Sequence, residues 1–207
     1  MANDYSELCL RPEESQLDLK SNRAQVVIGV RRCGKSTLCE MFLMQRGIEF
    51  AYVNFDDDRM EEMKAGDLDR LLEALYMTYG DFKYLFLDEI QNVKGWPLFV
   101  NRLLRQKIHL FITGSNSKLL SKELSTHLTG RNNKVELYPF SFSEYCTMKK
   151  IDTASQSTKA KGLRKSTLHE YLLQGGFPEL FNESTKSCSP IKINCQRSQP
   201  ARASNIA

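Results

Sequence analysis

The sequence predicts an α/β fold in which a mostly parallel sheet is covered by helices on both faces. Three observations carry that expectation. Apolar runs of strand length alternate with stretches of helical periodicity, and glycine or proline closes most of them. The chain also has 207 residues, 41% hydrophobic and 26% charged, enough for one ordinary core with some sequence to spare.

The elements follow in order. Gln25 to Gly29 is a short β-branched run stopped by glycine, which predicts a buried strand. Lys35 to Arg46 places Leu38, Phe42 and Leu43 at helical spacing and ends at Gly47. Phe50 to Phe55 reads as a second strand, followed by the acidic run Asp56-Asp57-Asp58. Asp67 to Tyr79 is an amphipathic helix with Leu68, Leu71, Leu72 and Leu75 on one face. Tyr84 to Leu87 is a third buried strand, and Pro97 suits the first turn of a helix running to about Lys107. Ile108 to Thr113 is a fourth strand, Asn116 to Thr126 a helix, and Lys134 to Tyr138 a fifth strand closed by Pro139. Beyond residue 140 the alternation stops. Phe142 to Lys149 and Leu163 to Gln174 are helical, joined by the lysine-rich stretch Lys150 to Gly162, and from Asn182 the composition is that of a disordered tail.

Composition removes several function classes. The longest apolar runs fall far short of the ~20 residues of a bilayer span. Met1 to Lys20 carries Asp4, Glu7, Glu13, Glu14 and Asp18, unlike a cationic secretory signal, so a cytoplasmic address is expected. Six scattered cysteines without a Cys-x-x-Cys pair read as free thiols. The net charge of +4 is uneven: residues 1–146 hold 19 basic against 21 acidic side chains, and residues 147–207 hold 10 against 4. Nucleic-acid binding is therefore only weakly supported, through the basic stretch at 149–165.

The chemistry concentrates in three places. Gly29-Val30-Arg31-Arg32-Cys33-Gly34-Lys35-Ser36 fits G-x-x-x-x-G-K-[ST] between a strand and a helix, with Thr37 following. There backbone N–H groups and the helix start can cradle phosphates, Lys35 can bridge the β- and γ-phosphates, and the Ser36 hydroxyl can ligate Mg²⁺. Arg31 and Arg32 either add positive potential or pack outward. Tyr84-Leu85-Phe86-Leu87-Asp88-Glu89 delivers two acids at a strand's end: Asp88 to hold the Mg²⁺ water shell and Glu89 to polarise an attacking water. The fourth strand exits through Ser115 and Asn116; Asn116 first, and Ser115 second, can hold that water or read the γ-phosphate, or either can simply cap a helix. Arg131, between the fourth helix and fifth strand, is a candidate for stabilising transition-state charge on a neighbouring copy's γ-phosphate.

Other features are weaker. Asp56-Asp57-Asp58 reads as a solvated loop and Trp96 as a core residue. Asn133-Lys134-Val135-Glu136 lacks the Asp of a guanine-reading motif, and His109, His127 and His169 show no ligand spacing.

These residues resemble the AAA+-type ATPases of bacteria and archaea that join an N-terminal ATPase domain to a C-terminal domain of unknown function. The similar segments are GVRRCGKSTL (29–38), YVNFDD (52–57), LFLDEIQNVKGW (85–96), ITGSNSKLL (112–120), LTGRNNKVELYPFSFSEY (128–145) and YLLQGGFPE (171–179). The resemblance implies a P-loop NTPase three-layer sandwich with strand order 5-1-4-3-2, ATP with Mg²⁺, and the roles given above to Lys35, Ser36, Asp88, Glu89, Ser115 or Asn116, and Arg131. It divides the chain into an ATP-binding domain (1–140), a helical lid or start of a second domain (141–181) and a tail (182–207). The tail departs from the family, so a truncated or frame-shifted product is expected, with a protein partner left unidentified. The expected activity is ATP hydrolysis coupled to conformational change, with homo-oligomer formation through Arg131. The alternatives are a nucleotide-binding fragment without turnover and, last, a small-molecule P-loop kinase.

Overall fold

A computed structural model describes residues 10–115 and 125–182. Strands β1 (Ala24–Gly29), β2 (Ala51–Asn54), β3 (Tyr84–Asp88), β4 (His109–Gly114) and β5 (Asn132–Leu137) form one sheet in the order β2-β3-β4-β1-β5. All pairings are parallel. This is the order that the family resemblance implies, read from the other edge.

Side chains alternate across a strand, and the alternation here feeds two separate cores. β1 sends Val26 and Ile28 to one face and Val27 to the other; β3 divides Leu85 and Leu87 from Phe86, and β4 divides Leu110 and Ile112 from Phe111. Helices α2 (Leu68–Tyr79) and α3 (Trp96–Arg105) cover the first face with Leu68, Leu75, Trp96, Phe99, Val100 and Leu103. Helix α1 (Lys35–Met44) covers the second with Leu38, Phe42 and Leu43, helped by Leu17 from the N-terminal segment. The result is a three-layer α/β sandwich. Trp96 is fully buried, as a core residue should be.

Two expected boundaries move. β5 begins at Asn132 rather than Lys134, because Ala24 and Gln25 of β1 pair with Asn132 and Asn133 and hold these poor strand formers in register. After α4 (Phe142–Met148), helix α5 (Thr158–Gln174) starts five residues before the expected Leu163. Its first turns carry no apolar stripe, so periodicity misses them, yet the Ser157 side chain accepts the Ala160 N–H and caps the helix. The expected helix 116–126 lies mostly outside the described residues, of which 125–127 are helical.

The extension after β5 contains α4, α5 and the short helix α6 (Glu179–Asn182), tied to the rest of the chain by the ion pairs Arg11–Glu144 and Arg32–Glu179. The Phe140 N–H donates to Gly176 O at 2.7 Å, and the Tyr171 hydroxyl donates to Phe140 O at 2.9 Å. Rings of Phe140, Phe142, Tyr145, Tyr171 and Phe181 cluster around that contact. A Cβ on Gly176 would stand 2.1 Å from Phe140 O, so the backbone approach admits only glycine. On the outer side of α5, Leu172 and Leu173 are exposed. Among the described residues no helix is long and apolar enough to cross a membrane.

Candidate functional site

Parallel strands bring the carboxyl ends of β1, β3 and β4 to one rim, where ligands of open α/β sheets bind. The loop leaving β1 turns sharply there. Arg32 is left-handed at φ 69°, and Gly34, the residue before α1, is left-handed at φ 93°. No side chain caps that helix start. The first-turn amides therefore keep their outward-facing donors for an anion.

Lys35 is almost fully buried, its Nζ donating to Val30 O at 3.1 Å and lying 3.5 Å from Glu89 Oε1. The Ser36 hydroxyl donates to Asp88 Oδ1 at 2.9 Å. Asp88 also accepts from the Thr113 hydroxyl on Oδ1 and from the Tyr52 hydroxyl on Oδ2 at 3.2 Å. Burial raises the Asp88 carboxyl above the usual range, against the pull of these donors. Glu40, one helical turn beyond Ser36, is pushed up to about 7 by burial and by the charge of Asp88.

Glu89 is left-handed at φ 54°, an uncommon conformation for a residue with a Cβ. It turns the side chain away from Asp88's partners and toward Lys35 and β4. There Glu89 Oε2 accepts from the Ser115 N–H at 2.8 Å, from the Ser115 hydroxyl at 2.9 Å and from Gln91 Nε2. The Glu89 N–H in turn donates to Thr113 Oγ1 at 3.2 Å. Burial alone would raise this carboxyl, but the Gln91 and Ser115 hydrogen bonds and the Lys35 charge outweigh it and hold Glu89 below the usual range. It is a charged base at neutral pH.

A cleft of about 300 Å³ opens over these groups, lined among others by Lys35, Ser36, Thr37, Asn54, Asp88 and Glu89. A narrower, mostly apolar cleft of about 100 Å³ adjoins it and shares Gly34, Thr37 and Pro178. Its walls include Leu38, Met41, Phe140, Met148 and Phe181, with Arg11 at one side. Arg11 is itself buried, lies 4.8 Å over the Phe140 ring, donates to Tyr138 O and pairs with Glu144 at 2.9 Å.

The other loop residues have partners of their own. Gly29 packs against β5, where a Cβ would lie 2.1 Å from Leu137 O, and the buried Cys33 thiol faces the same carbonyl at 3.4 Å. Burial raises that thiol. Arg31 and Arg32 are exposed and line the 300 Å³ cleft, Arg31 paired with Asp56 at 2.6 Å and Arg32 with Glu179 at 3.1 Å, both acids lining it as well. Asn116 lies outside the described residues.

Arg131 stands at the opposite rim. Its carbonyl accepts from Ala24 N–H at the beginning of β1, and its guanidinium donates to Asn101 Oδ1, each at 2.9 Å. The length of β1 separates it from the loop, roughly 20 Å at ~3.3 Å per residue.

Sequence reasoning missed Tyr52, Thr113, Gln91, Arg11, Phe140 and Pro178. Tyr52, Phe140 and Pro178 fall within the segments YVNFDD, LYPFSFSEY and GGFPE, which marked the family without indicating a role.

The oxygen donors at the rim, a hydroxyl and one carboxylate, suit a magnesium ion that completes its shell with water and phosphate. Among the described residues no group of three or more His, Cys, Asp or Glu is arranged to hold a metal alone.

With this geometry in place, comparison with known proteins decides the family: the profile described as "AAA domain" matches residues 21–146. The chain belongs to the AAA domain family. Over that stretch it is an AAA+ ATPase-type nucleotide-binding domain. An uncharacterized protein of Methanocaldococcus jannaschii is 39% identical over 167 residues, 80% of this chain and 38% of that protein. An uncharacterized protein of Haemophilus influenzae is 37% identical over 164 residues, 75% of this chain and 40% of that protein. The AAA-domain chain thus spans about two fifths of the length of these relatives. Among solved structures, the Thermotoga maritima RuvB Holliday junction branch migration motor aligns with 62% of this chain and 42% of its own, at 21% identity and a TM-score of 0.43.

Proposed function

We propose that this AAA domain binds ATP with Mg²⁺ on the loop before α1 and hydrolyses it, the site being completed by an arginine from a second copy. The observation that carries the reading is the juxtaposition of Lys35, Ser36, Asp88 and Glu89 at one rim, linked by a hydrogen bond of 2.9 Å and an ion pair of 3.5 Å.

The phosphates occupy the 300 Å³ cleft over the uncapped amides, and the base enters the apolar cleft between Met41, Phe140 and Pro178. Ser36 and Asp88 would hold the metal. Magnesium, when bound, neutralises charge on the β- and γ-phosphate oxygens. Lys35 exchanges its Glu89 partner for a γ-phosphate oxygen. Glu89 stays fixed through Oε2 by Ser115, which leaves Oε1 facing the cleft to accept a proton from water as that water's oxygen attacks phosphorus and ADP leaves. Ser115 is thus the polar residue that orients the base, with Asn116 the second candidate. Residues 1–140 form the ATP-binding domain and 141–181 a lid, whose Pro178 and Glu179 line the phosphate cleft. A cytoplasmic address and an unidentified protein partner complete the reading.

Two variants test it. Lys35→Ala should abolish nucleotide binding, whereas Glu89→Gln should keep binding and lose turnover by 100-fold or more, read by phosphate release. Unchanged turnover in Glu89→Gln would contradict the assignment. A second reading, nucleotide binding with negligible turnover, is favoured for the lone chain because Arg131 cannot reach its own loop. Phosphate release that rises faster than in proportion to protein concentration would separate the two.

A further inference from the structure

Asp88 is held from both sides. Ser36 on α1 and Thr113 on β4 donate to Oδ1, and Tyr52 on β2 donates to Oδ2 at 3.2 Å. Tyr52 is a half-buried ring, tilted against Phe86 of β3 at 5.2 Å between centroids. The pairing of β2 with β3 sets Tyr52 opposite Phe86 and Asn54 opposite Asp88, so the phenol must run along the strand toward the rim to meet the carboxylate.

The hydroxyl has a reason to be there. Asp88 is nearly buried, and Glu40 places a second acid beside it. Ser36 and Thr113 share Oδ1, whereas the Tyr52 hydroxyl reaches Oδ2, so the phenol restrains the carboxylate's rotation from the other oxygen. Tyr52 is neutral, is anchored by its ring, and lies across the carboxylate from the cleft side occupied by Ser36.

We propose that Tyr52 is a positioning residue for the magnesium site: its hydroxyl, held by the ring's packing on Phe86, fixes Oδ2 and so sets the direction in which the Asp88 carboxylate faces the metal site. This rests on the assignment of Ser36 and Asp88 to magnesium. Partners that orient metal-holding groups typically contribute 10–100-fold to metal affinity.

The test is a nucleotide titration of the full chain by fluorescence of a labelled ATP, in excess EDTA and across a Mg²⁺ series. Tyr52→Phe keeps the ring on Phe86 and removes only the hydroxyl. Its affinity in EDTA should match the parent, while the Mg²⁺ concentration for half-maximal enhancement rises at least 10-fold. Replacing Tyr52 with 3-fluorotyrosine, which retains a hydroxyl donor, should restore the parental Mg²⁺ midpoint. Ser36→Ala and Asp88→Asn report on the assignment beneath. If they abolish the Mg²⁺ enhancement and Tyr52→Phe leaves its midpoint unchanged, Tyr52 is a packing residue and this inference alone fails. A Tyr52→Phe chain that loses EDTA affinity as well overturns it in the same way. If the parent shows no Mg²⁺ enhancement, the metal assignment and the inference fall together.

Discussion

Glu89 is the residue on which chemistry and backbone are most tightly joined. Its left-handed φ of 54° turns one carboxylate oxygen to Ser115 and the other to Lys35. Ser115→Ala removes the hydroxyl donor but leaves the N–H. It should therefore lower kcat about 10-fold with little change in KM, measured by steady-state phosphate release, because a misaimed base affects the transition state more than binding. Gly29 makes a different demand. A Cβ there meets Leu137 O at 2.1 Å, so Gly29→Ala should force β1 from β5 and cost about 1–3 kcal/mol in denaturant unfolding. The phosphate-loop residues and the acidic pair were legible in the sequence because their spacing is local. The direction of each side chain was not. Arg31 and Arg32 sit inside the loop and line the cleft, yet their partners there, Asp56 and Glu179, lie 25 and 147 residues away.

At the scale of elements, α1 carries its first helical turns into a buried acidic environment. Glu40 is raised to about 7 and Asp88 is raised as well, so the folded state holds protons that the unfolded chain has released. Stability from Glu40 is therefore full below its ordinary pKa of about 4.5 and is lost as pH rises toward 7. Glu40→Gln should flatten that slope and raise stability at pH 8 by about 2 kcal/mol, checked by urea unfolding from pH 5 to 8. A variant with an unaltered slope would show that the burial of Glu40 is not what sets it. The strands and α1 to α3 were legible because tertiary packing follows the apolar periodicity seen in the sequence. The early start of α5 was not, since Ser157 and a polar first turn hold it without an apolar stripe. Ser157→Ala should cost about 1 kcal/mol.

Across the whole molecule, the sheet separates the proposed nucleotide site from the arginine proposed to serve a second copy. The phosphate loop and acids occupy the carboxyl rim, and Arg131 occupies the amino rim beside Arg102 and Arg105 in a cleft of about 650 Å³. An arrangement with complementary pieces at opposite ends suits head-to-tail assembly, in which each copy serves the next. Mixing Lys35→Ala with Arg131→Ala should then recover part of the phosphate release that neither variant shows alone; no recovery at any ratio would count against the neighbour's arginine. The sheet order was legible through the family resemblance, whereas the apolar cleft between α1, Phe140 and Pro178 was not, because its walls come from segments about 100 residues or more apart in sequence. The proposed chemistry requires that a triphosphate rest on the amides opening α1 under Lys35. Isothermal titration of ATP with Mg²⁺ into the full chain and into Lys35→Ala tests it most directly. One saturable site in the parent, weakened at least 100-fold in the variant, is the predicted result; equal affinity in both would contradict it.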